Sequence, residues 1–241
     1  MQKELETILA HCQFLNGLTP DEKIAVIENG RSARKSAGEY LFHQGEPSDT
    51  MYILLSGRIK LTQITDSGQQ IIVDYFGPGA GLGIVVGLSK VPYPLSAEVV
   101  EDIEAVSWQR ADLHQLMRRY PTLALNGLDM LAERFRVLQL RFQEIATQRV
   151  EQRIARTLIR LVKQFGVKTK EGIRIDMPLA RQDLAQMTGT NVYQVSRIVS
   201  KWEQDGLIKT GRKRFTLLQV HGMVAIAEDL FEVIPYEHEA K

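Results

Sequence analysis

Hydrophobic and polar positions follow two different periods along this chain. Residues from about 30 to 110 contain short apolar or alternating runs, such as MYILLSGRIKLTQI and QQIIVDYFGPG, separated by Gly, Pro and Asp-Ser turns. Such runs predict the strands of an all-β roll or barrel. Before them, Thr19 as a cap, Pro20 at the first helical position and acids in the first turn predict a short helix.

From Pro121 the apolar spacing becomes helical. Intervals of 3, 4, 3, 4 and 3 separate Leu128, Leu131, Phe135, Leu138, Phe142 and Ile145. This a/d pattern is typical of a coiled-coil seam. It predicts either a long helix that lies on its own domain's core or, as we favour, a helix that pairs with its copy across a two-fold axis.

The last third of the chain begins with a second amphipathic pattern. RVEQRIARTLIRLVKQFG predicts a helix ending at Gly166, and KTKEGIRIDMPL predicts a β-hairpin. The tail beyond residue 230, which contains Pro235 and acidic residues, is expected to be frayed.

Residues 181–200 fit a helix-turn-helix window. With Arg181 as position 1, small Ala185 falls at position 5, where the helices cross, and Gly189 falls in the turn at position 9. The buried positions 4, 15 and 18 hold Leu184, Val195 and Ile198. Ala180 stands where a hydroxyl cap would be expected, so the first helix is expected to begin weakly.

The second helix of this window is predicted to lie in the major groove of DNA. With Val195, Ile198 and Val199 turned inward, its outer face is expected to expose Asn191, Val192, Tyr193, Gln194, Ser196 and Arg197. Arg197 is the candidate for a bidentate contact to guanine. EQDGLIKTGRKRFTLLQV then predicts two strands around a basic turn, a wing that contacts phosphates. The other candidate DNA contacts are Arg181, Gln182, Lys201, Arg212, Lys213 and Arg214.

Charge is divided unevenly along the chain, although the whole carries only +1. Residues 1–147 hold 14 Lys and Arg against 18 Asp and Glu, a net charge of −4, whereas residues 148–227 hold 15 against 6, a net charge of +9. A basic module that coincides with a helix-turn-helix pattern predicts a polyanionic partner. A helical hairpin packed for its own sake would leave this charge unexplained.

Several classes of protein are disfavoured by composition. No run approaches the roughly 18 apolar residues of a membrane span, and the N-terminus is unlike a signal peptide, so we expect a cytoplasmic protein. The single Cys12 excludes an internal disulfide and argues against an iron–sulfur cluster. His43 lacks the second histidine of a cupin metal site, since Gly45 stands there, and no Ser-His-Asp order, P-loop or HExxH occurs. We therefore expect no enzyme.

The order of β-roll, long helix and winged helix-turn-helix resembles the bacterial regulators of the cyclic-AMP receptor protein and fumarate–nitrate reductase regulator (Crp/Fnr) superfamily. The similar segments include GEYLFHQGEPSDTMYILLSGRIKL and RQDLAQMTGTNVYQVSRIVSKWEQDGLI. The resemblance implies an α+β protein with a cyclic-nucleotide-binding-like β-roll (jelly roll) over residues 1–120, a dimerisation helix over 121–147 and a winged helix-turn-helix domain over 148–241. It further implies a homodimer on a palindromic operator, RNA polymerase as a second partner, and an effector that acts through the roll.

Three departures separate this chain from the cyclic-AMP receptor of that family. Val192 and Tyr193 replace an arginine and a glutamate of its recognition helix, so the half-site is expected to differ. In the roll, Ile84 and Leu95 occupy the positions of the glutamate and arginine that hold cyclic AMP, and a buried phosphate needs a cation or converging amides. On the long helix, Leu138 and Gln139 replace the pair that meets adenine. We therefore predict that cyclic AMP is not the effector.

The sequence leaves three alternatives for the effector of the roll. The predicted pocket consists of Ile84, Val85, Leu95, Ser96, Leu138 and Gln139, with Phe42 and Tyr93 as further apolar candidates. It suits haem in a gas sensor, with His11, Cys12, His43 or His114 as axial ligands, or another apolar small molecule, or it is a collapsed core without ligand. A module that regulates a protein partner without touching DNA is an alternative of another class, but it needs the phosphate arginine that Leu95 replaces.

Overall fold

The computed structural model describes residues 2–229. Its α-helices are α1 Gln2–Ala10, α2 Pro20–Glu28, α3 Val85–Leu88, α4 Arg110–Arg119, α5 Thr122–Thr147, α6 Val150–Phe165, α7 Arg181–Thr188, α8 Val192–Gln204 and α9 Val220–Glu228, with a 3₁₀ turn at Gln13–Leu15. Its strands are β1 Arg31–Lys35, β2 Tyr40–Phe42, β3 Thr50–Ile64, β4 Gln70–Phe76, β5 Gly81–Leu82, β6 Ser96–Gln109, β7 Gly166–Lys168, β8 Ile173–Ile175, β9 Ile208–Gly211 and β10 Arg214–Leu217. The predicted frayed tail lies outside the described residues.

The chain forms two compact units, Met1–Gln139 and Leu140–Lys241, which divide within α5. The domain boundaries predicted at residues 120 and 147 stay predictions. Among residues 2–229, no helix combines the length and the apolarity that crossing a membrane requires.

A six-stranded antiparallel sheet builds the first unit and confirms the predicted β-roll. Its strand order is β1-β6-β3-β4, with β2 paired to β6 and β5 paired to β3. Pairing of β3 with β6 shifts register on both sides of Gly57, whose φ is +74°. A Cβ at this position would collide with the Asp102 carbonyl oxygen, so only glycine allows the two strands to approach here.

Apolar side chains from the strands and the preceding helices fill the roll. Trp108 is buried and donates its indole N–H to the Val26 carbonyl oxygen at 3.1 Å, which fastens α2 to β6. The predicted cap of α2 is present as a capping box. The Thr19 hydroxyl accepts from the Glu22 N–H at 3.3 Å, and the Glu22 carboxylate accepts from the Thr19 N–H at 2.8 Å.

The first half of α5 packs onto this roll. Leu123 and Met130 are buried in the core cluster, and the Asn126 amide donates to the carbonyl oxygens of Phe14 and Asn16, both at 2.8 Å. α5 is continuous over 26 residues. The roll therefore anchors one face of the first half of α5.

In the described part of the second unit, helices α6 to α9 accompany a four-stranded sheet of order β7-β8-β10-β9. The helix predicted to end at Gly166 is α6, which ends at Phe165 with Gly166 as its C-cap, and β7 and β8 form the predicted hairpin. Apolar residues on one side of α6, including Ile154, Leu158 and Leu161, are buried. This small core carries the helix-turn-helix.

Candidate nucleic-acid interface and effector site

The helix-turn-helix of the sequence pattern is present as α7 and α8. Leu184, Ala185 and Val195 are buried where the helices cross, while Ile198 is half-buried. Gly189 ends α7 with φ +62°, the left-handed conformation that the turn requires. The spacing of these residues thus predicted the packing of the motif.

The start of α7 is capped from within the helix. Ala180 offers no side-chain acceptor, but the Asp183 carboxylate accepts from the Ala180 N–H at 2.7 Å. This is the second half of a capping box, and the acid also lies favourably in the first turn of the helix. The weak start expected from Ala180 is therefore offset by Asp183.

Fewer side chains are exposed on the outer face of α8 than the sequence predicts. Val192, Tyr193 and Arg197 are exposed, and 75% of Tyr193 is accessible. Gln194 and Ser196 were expected to be exposed, but both are half-buried. The side-chain Oδ1 oxygen of Asn191 accepts from the Gln194 N–H at 2.9 Å, so Asn191 caps the helix. Of the six residues predicted to face outward, Asn191, Val192, Tyr193 and Arg197 are thus exposed.

The Gln194 amide is held by the turn that precedes α8. The Thr190 hydroxyl donates to the Gln194 Oε1 oxygen. One polar end of this amide is therefore engaged within the protein, which restricts what Gln194 can contact.

The basic wing predicted after α8 is the β9–β10 hairpin. Arg214 pairs with Gly211 across the hairpin, and Lys213 in the turn has φ +51°. Arg212, Lys213 and Arg214 are all exposed. The Leu179 N–H donates to the Lys213 carbonyl oxygen at 3.0 Å, which places the wing turn next to the segment that leads into α7.

Acidic side chains of the basic module are mostly engaged inside it. Glu151 accepts from the Trp202 indole at 3.0 Å, and Glu203 and Glu171 form ion pairs with Arg181 and Lys209 respectively. Among residues 2–229, by contrast, five exposed cations of α8 and the wing form no ion pair: Arg197, Lys201, Arg212, Lys213 and Arg214. Uncompensated positive charge therefore collects around the exposed face of α8 and along the wing.

Arg181 and Gln182 open α7 at the side of the wing. Gln182 is exposed, whereas Arg181 is half-buried and donates to the Glu203 carboxylate at 3.4 Å. A pocket of about 380 Å³ adjoins Arg181 and the wing. Its lining consists of Leu179, Ala180, Arg181, Thr210, Gly211, Lys213 and Phe215.

The predicted seam of α5 is largely exposed. Phe135 is 61% and Phe142 is 74% accessible, and Leu128, Leu138 and Ile145 are also exposed. Leu131 differs, because it packs partly against the roll core. A row of large exposed apolar side chains on one helix face is costly in water and is typical of an interaction surface.

The predicted effector-pocket residues lie in two environments. Ile84 is buried in the roll core, and Val85 and Leu95 pack against it. The Ser96 hydroxyl is engaged, because it accepts from the Gln44 N–H at 2.9 Å. Leu138 and Gln139 are exposed on α5. The pocket residues Ile84 to Ser96 therefore lie in the roll, whereas Leu138 and Gln139 lie on the exposed seam side of α5.

Phe42 and Tyr93 fill the core of the roll. Their rings stack with centroids 4.0 Å apart, and both side chains are buried. The Tyr93 hydroxyl donates to the Thr50 carbonyl oxygen at 2.5 Å, and burial raises the pKa of this phenol to about 12. These two rings therefore favour the packed-core alternative in this part of the roll.

A half-buried cation was missed by the sequence analysis. Arg134 of α5 donates to the Gly81 carbonyl oxygen, and its guanidinium lies 5.3 Å from the centroid of the Phe76 ring. Burial lowers the pKa of Arg134, while the nearby Asp74 carboxylate opposes the shift. Only the tertiary contacts distinguish Arg134 from the other arginines that flank the seam.

The four candidate haem ligands differ in accessibility. His11 and His43 are exposed, and the His43 ring lies 4.3 Å from that of Tyr40. His114 is half-buried on α4. Cys12 is buried, and burial raises the pKa of its thiol to about 11, which disfavours the thiolate that iron would need. These environments give no support to haem ligation.

The raised pKa of Cys12 leads to a direct prediction. At pH 8 the thiol remains protonated in the folded protein, so a disulfide reagent such as Ellman's reagent is expected to react with it only through unfolding. The absorbance of the released thiolate should appear slowly in buffer and immediately in denaturant. Equally rapid reaction in both conditions would contradict the burial of Cys12.

A β-roll, a long helix with an exposed apolar face and a winged helix-turn-helix with uncompensated positive charge together define a two-part regulator of the DNA-binding class. Residues 34–120 match the cyclic nucleotide-binding domain family, and residues 152–226 match the Crp-like helix-turn-helix domain family. The chain belongs to the Crp/Fnr superfamily of bacterial transcription regulators.

Relatives of this superfamily align along most of the chain. The CRP-like cAMP-activated global transcriptional regulator of Mycobacterium tuberculosis is 24% identical over 205 residues, which cover 85% of this chain and 92% of the relative. The transcriptional activator protein Anr of Pseudomonas aeruginosa is 26% identical over 202 residues, or 84% and 82% of the two chains. The structure of the c-di-GMP-responsive global regulator CLP of Xanthomonas campestris superposes with a TM-score of 0.73 at 21% identity, over 83% of this chain and 99% of that one.

Proposed function

We propose that this protein is a homodimeric, sequence-specific transcription factor that binds a palindromic site in double-stranded DNA. The observation that carries the proposal is the face of α8: exposed Val192, Tyr193 and Arg197 lie next to cations that no acid of the described chain neutralises. Groove-reading side chains supply sequence preference, and unpaired cations supply affinity for phosphate.

The exposed seam of α5 supports the homodimer. A two-fold pair of such helices would cover Phe135 and Phe142 with their own copies. Two recognition helices related by that axis would bind half-sites about one helical turn, roughly 34 Å, apart. The Leu131 contact with the roll core is compatible with this pairing, because the side chain is only partly buried there.

The regulator acts by binding rather than by catalysis, and it works in the cytoplasm, where the DNA lies. RNA polymerase is its second macromolecular partner, as the family resemblance implies. Its roll responds to an effector other than cyclic AMP or works without one, since Ile84 and Leu95 are apolar members of the roll core region. The ligand-free alternative gains support from the stacked Phe42 and Tyr93 rings.

Binding to duplex DNA over a salt series tests this proposal. An operator selected from randomised duplexes should bind more tightly than random DNA, and the logarithm of its association constant should fall linearly with the logarithm of the salt concentration. Arg212→Ala or Lys213→Ala is expected to weaken both duplexes alike, because the wing contacts phosphate. A salt-independent affinity, or no preference for any selected duplex, would overturn the proposal.

A further inference from the structure

The Glu203 carboxylate near the end of α8 joins three elements of the second unit. Its Oε1 oxygen accepts from the N–H of Thr210 at 2.8 Å and from the Thr210 hydroxyl at 2.7 Å. Its Oε2 oxygen accepts from the Arg181 guanidinium at 3.4 Å. Thr210 belongs to wing strand β9 and Arg181 is the first residue of α7, so one side chain links the wing, α7 and α8.

Apolar packing leaves this junction partly open. The pocket of about 380 Å³ described above is lined by residues of the α7 start and of the wing, including Arg181 and Thr210. Polar contacts therefore contribute to holding the wing at this point. Besides the Glu203 contacts, the Leu179 N–H donates to the Lys213 carbonyl oxygen.

A carboxylate at this place opposes DNA binding by simple electrostatics. It lowers the positive charge next to Arg181, and phosphates repel it. Glu203 is about one-third accessible as a side chain, so solvent only partly screens its charge. Electrostatics alone predicts that removing the carboxylate strengthens binding to every DNA sequence.

We propose that Glu203 is a positioning residue for DNA binding, which holds the wing and Arg181 in the arrangement that meets the phosphates while α8 lies in the groove. This inference rests on the proposed function. Glu203 itself does not contact DNA. Because its hydrogen bonds exist before DNA arrives, the wing and Arg181 need not be ordered on binding, which reduces the entropic cost of association.

Electrostatics alone and the positioning role predict opposite changes in the affinity for operator DNA when the Glu203 carboxylate is removed. Glu203→Ala is expected to weaken operator binding by the full dimer roughly tenfold, because charged hydrogen bonds to two phosphate-binding elements are lost. It should also flatten the salt dependence, since fewer phosphate contacts form together. Random duplex should be affected less, because loosely placed contacts suffice there.

Glu171→Ala is the matched control. Glu171 is another acid of the same basic module and lies in the turn between β7 and β8. Its carboxylate pairs with the Lys209 ammonium at 2.9 Å. Its removal changes the net charge by the same amount and frees Lys209 of wing strand β9. Lys209 and Thr210 are consecutive in this strand and point to opposite faces, so the Glu203 contacts with Thr210 and Arg181 stay in place. Operator affinity should stay unchanged or rise, and the salt dependence should not flatten.

Two milder variants separate positioning from folding. Glu203→Gln keeps an oxygen that can accept from Thr210 but loses the attraction to Arg181, so its affinity should lie between those of wild type and Glu203→Ala. Thr210→Val removes the hydroxyl contact without changing charge and should weaken operator binding several-fold. If Glu203 and Thr210 act through the same contact, the double variant Glu203→Ala/Thr210→Val should bind the operator no more weakly than Glu203→Ala alone.

Operator affinity, random-duplex affinity and the thermal midpoint are measured for each variant. Glu203→Ala binding the operator as tightly as Glu171→Ala overturns the positioning role. Unchanged operator affinity of Thr210→Val also overturns the positioning role. This variant tests the role even if Glu203→Ala fails to fold. Failure of the wild-type protein to prefer any operator would instead overturn the proposed function itself.

Discussion

Phe135→Asp is expected to convert the proposed dimer into a monomer and to abolish tight operator binding. Phe135 and Phe142 are the most exposed large apolar side chains of the seam. At a two-fold axis the new carboxylate would be desolvated close to its own copy. A penalty of about 4 kcal/mol, on the order of a thousandfold in the dimer dissociation constant, is expected. Size-exclusion chromatography with light scattering measures the change.

Folding of the single chain should survive this substitution. Phe135 is mostly exposed and is not part of the roll core, so its replacement leaves the core packing intact. Leu131→Asp is a poorer test, because Leu131 packs against that core. Gln143→Asp is the control, since this exposed residue adds the same charge to the same helix beside the seam. A folded Phe135→Asp variant that remains dimeric would contradict the assignment of the seam.

Arg197→Ala is expected to cost roughly 1–3 kcal/mol in each half-site and to relax the sequence preference at one base pair there. The Arg197 side chain is exposed on the recognition face and forms no ion pair among the described residues, so its five donors are free to meet a base. A dimer contains two copies, and the losses should approximately add. Competition with duplexes that carry every single-base change in one half-site would locate the affected position.

Lys201→Ala provides the comparison for Arg197→Ala. Lys201 lies about one turn further along α8, is exposed, and carries the same charge. Its removal should weaken operator and random duplex by similar factors, with unchanged base preference. Equal losses on operator and random duplex for Arg197→Ala would remove its assignment to base readout and leave it a phosphate contact.

Several short elements were not predicted from the sequence. Helices α1, α3, α4 and α9 were missed, although α4 covers ten residues and α9 covers nine. Helix α3 has only four residues, VVGL, which is too short for a 3.6-residue period to be recognised. In contrast, the helices with a long apolar period or a clear cap, α2, α5, α6 and α8, lie where the pattern predicted them. Length and periodicity, which are local properties, decided which elements were found.

Side chains whose roles depend on distant contacts were the other omission. Arg134 meets Gly81, which lies 53 positions away, and Glu203 meets Arg181, which lies 22 positions away. Neither spacing corresponds to a helical or strand period. In the sequence alone, Arg134 is a charge that flanks the seam, and Glu203 is an acid near the end of a helix.

The sequence by itself determined the order of β-roll, seam helix and winged helix-turn-helix, the tight turn at Gly189 and the basic character of the second unit. These features follow from residue type and short-range spacing, because hydrophobic period, positive φ and net charge need no knowledge of the fold. Tertiary structure decided which charges remain available. Among the described residues, proximity in space pairs Arg181 and Lys209 with acids and leaves Arg197 and the cations of the wing turn, Arg212, Lys213 and Arg214, without an ion pair. It also covers part of Leu131 while Phe135 stays exposed. Ion pairing and burial are long-range properties, which chain order alone does not reveal.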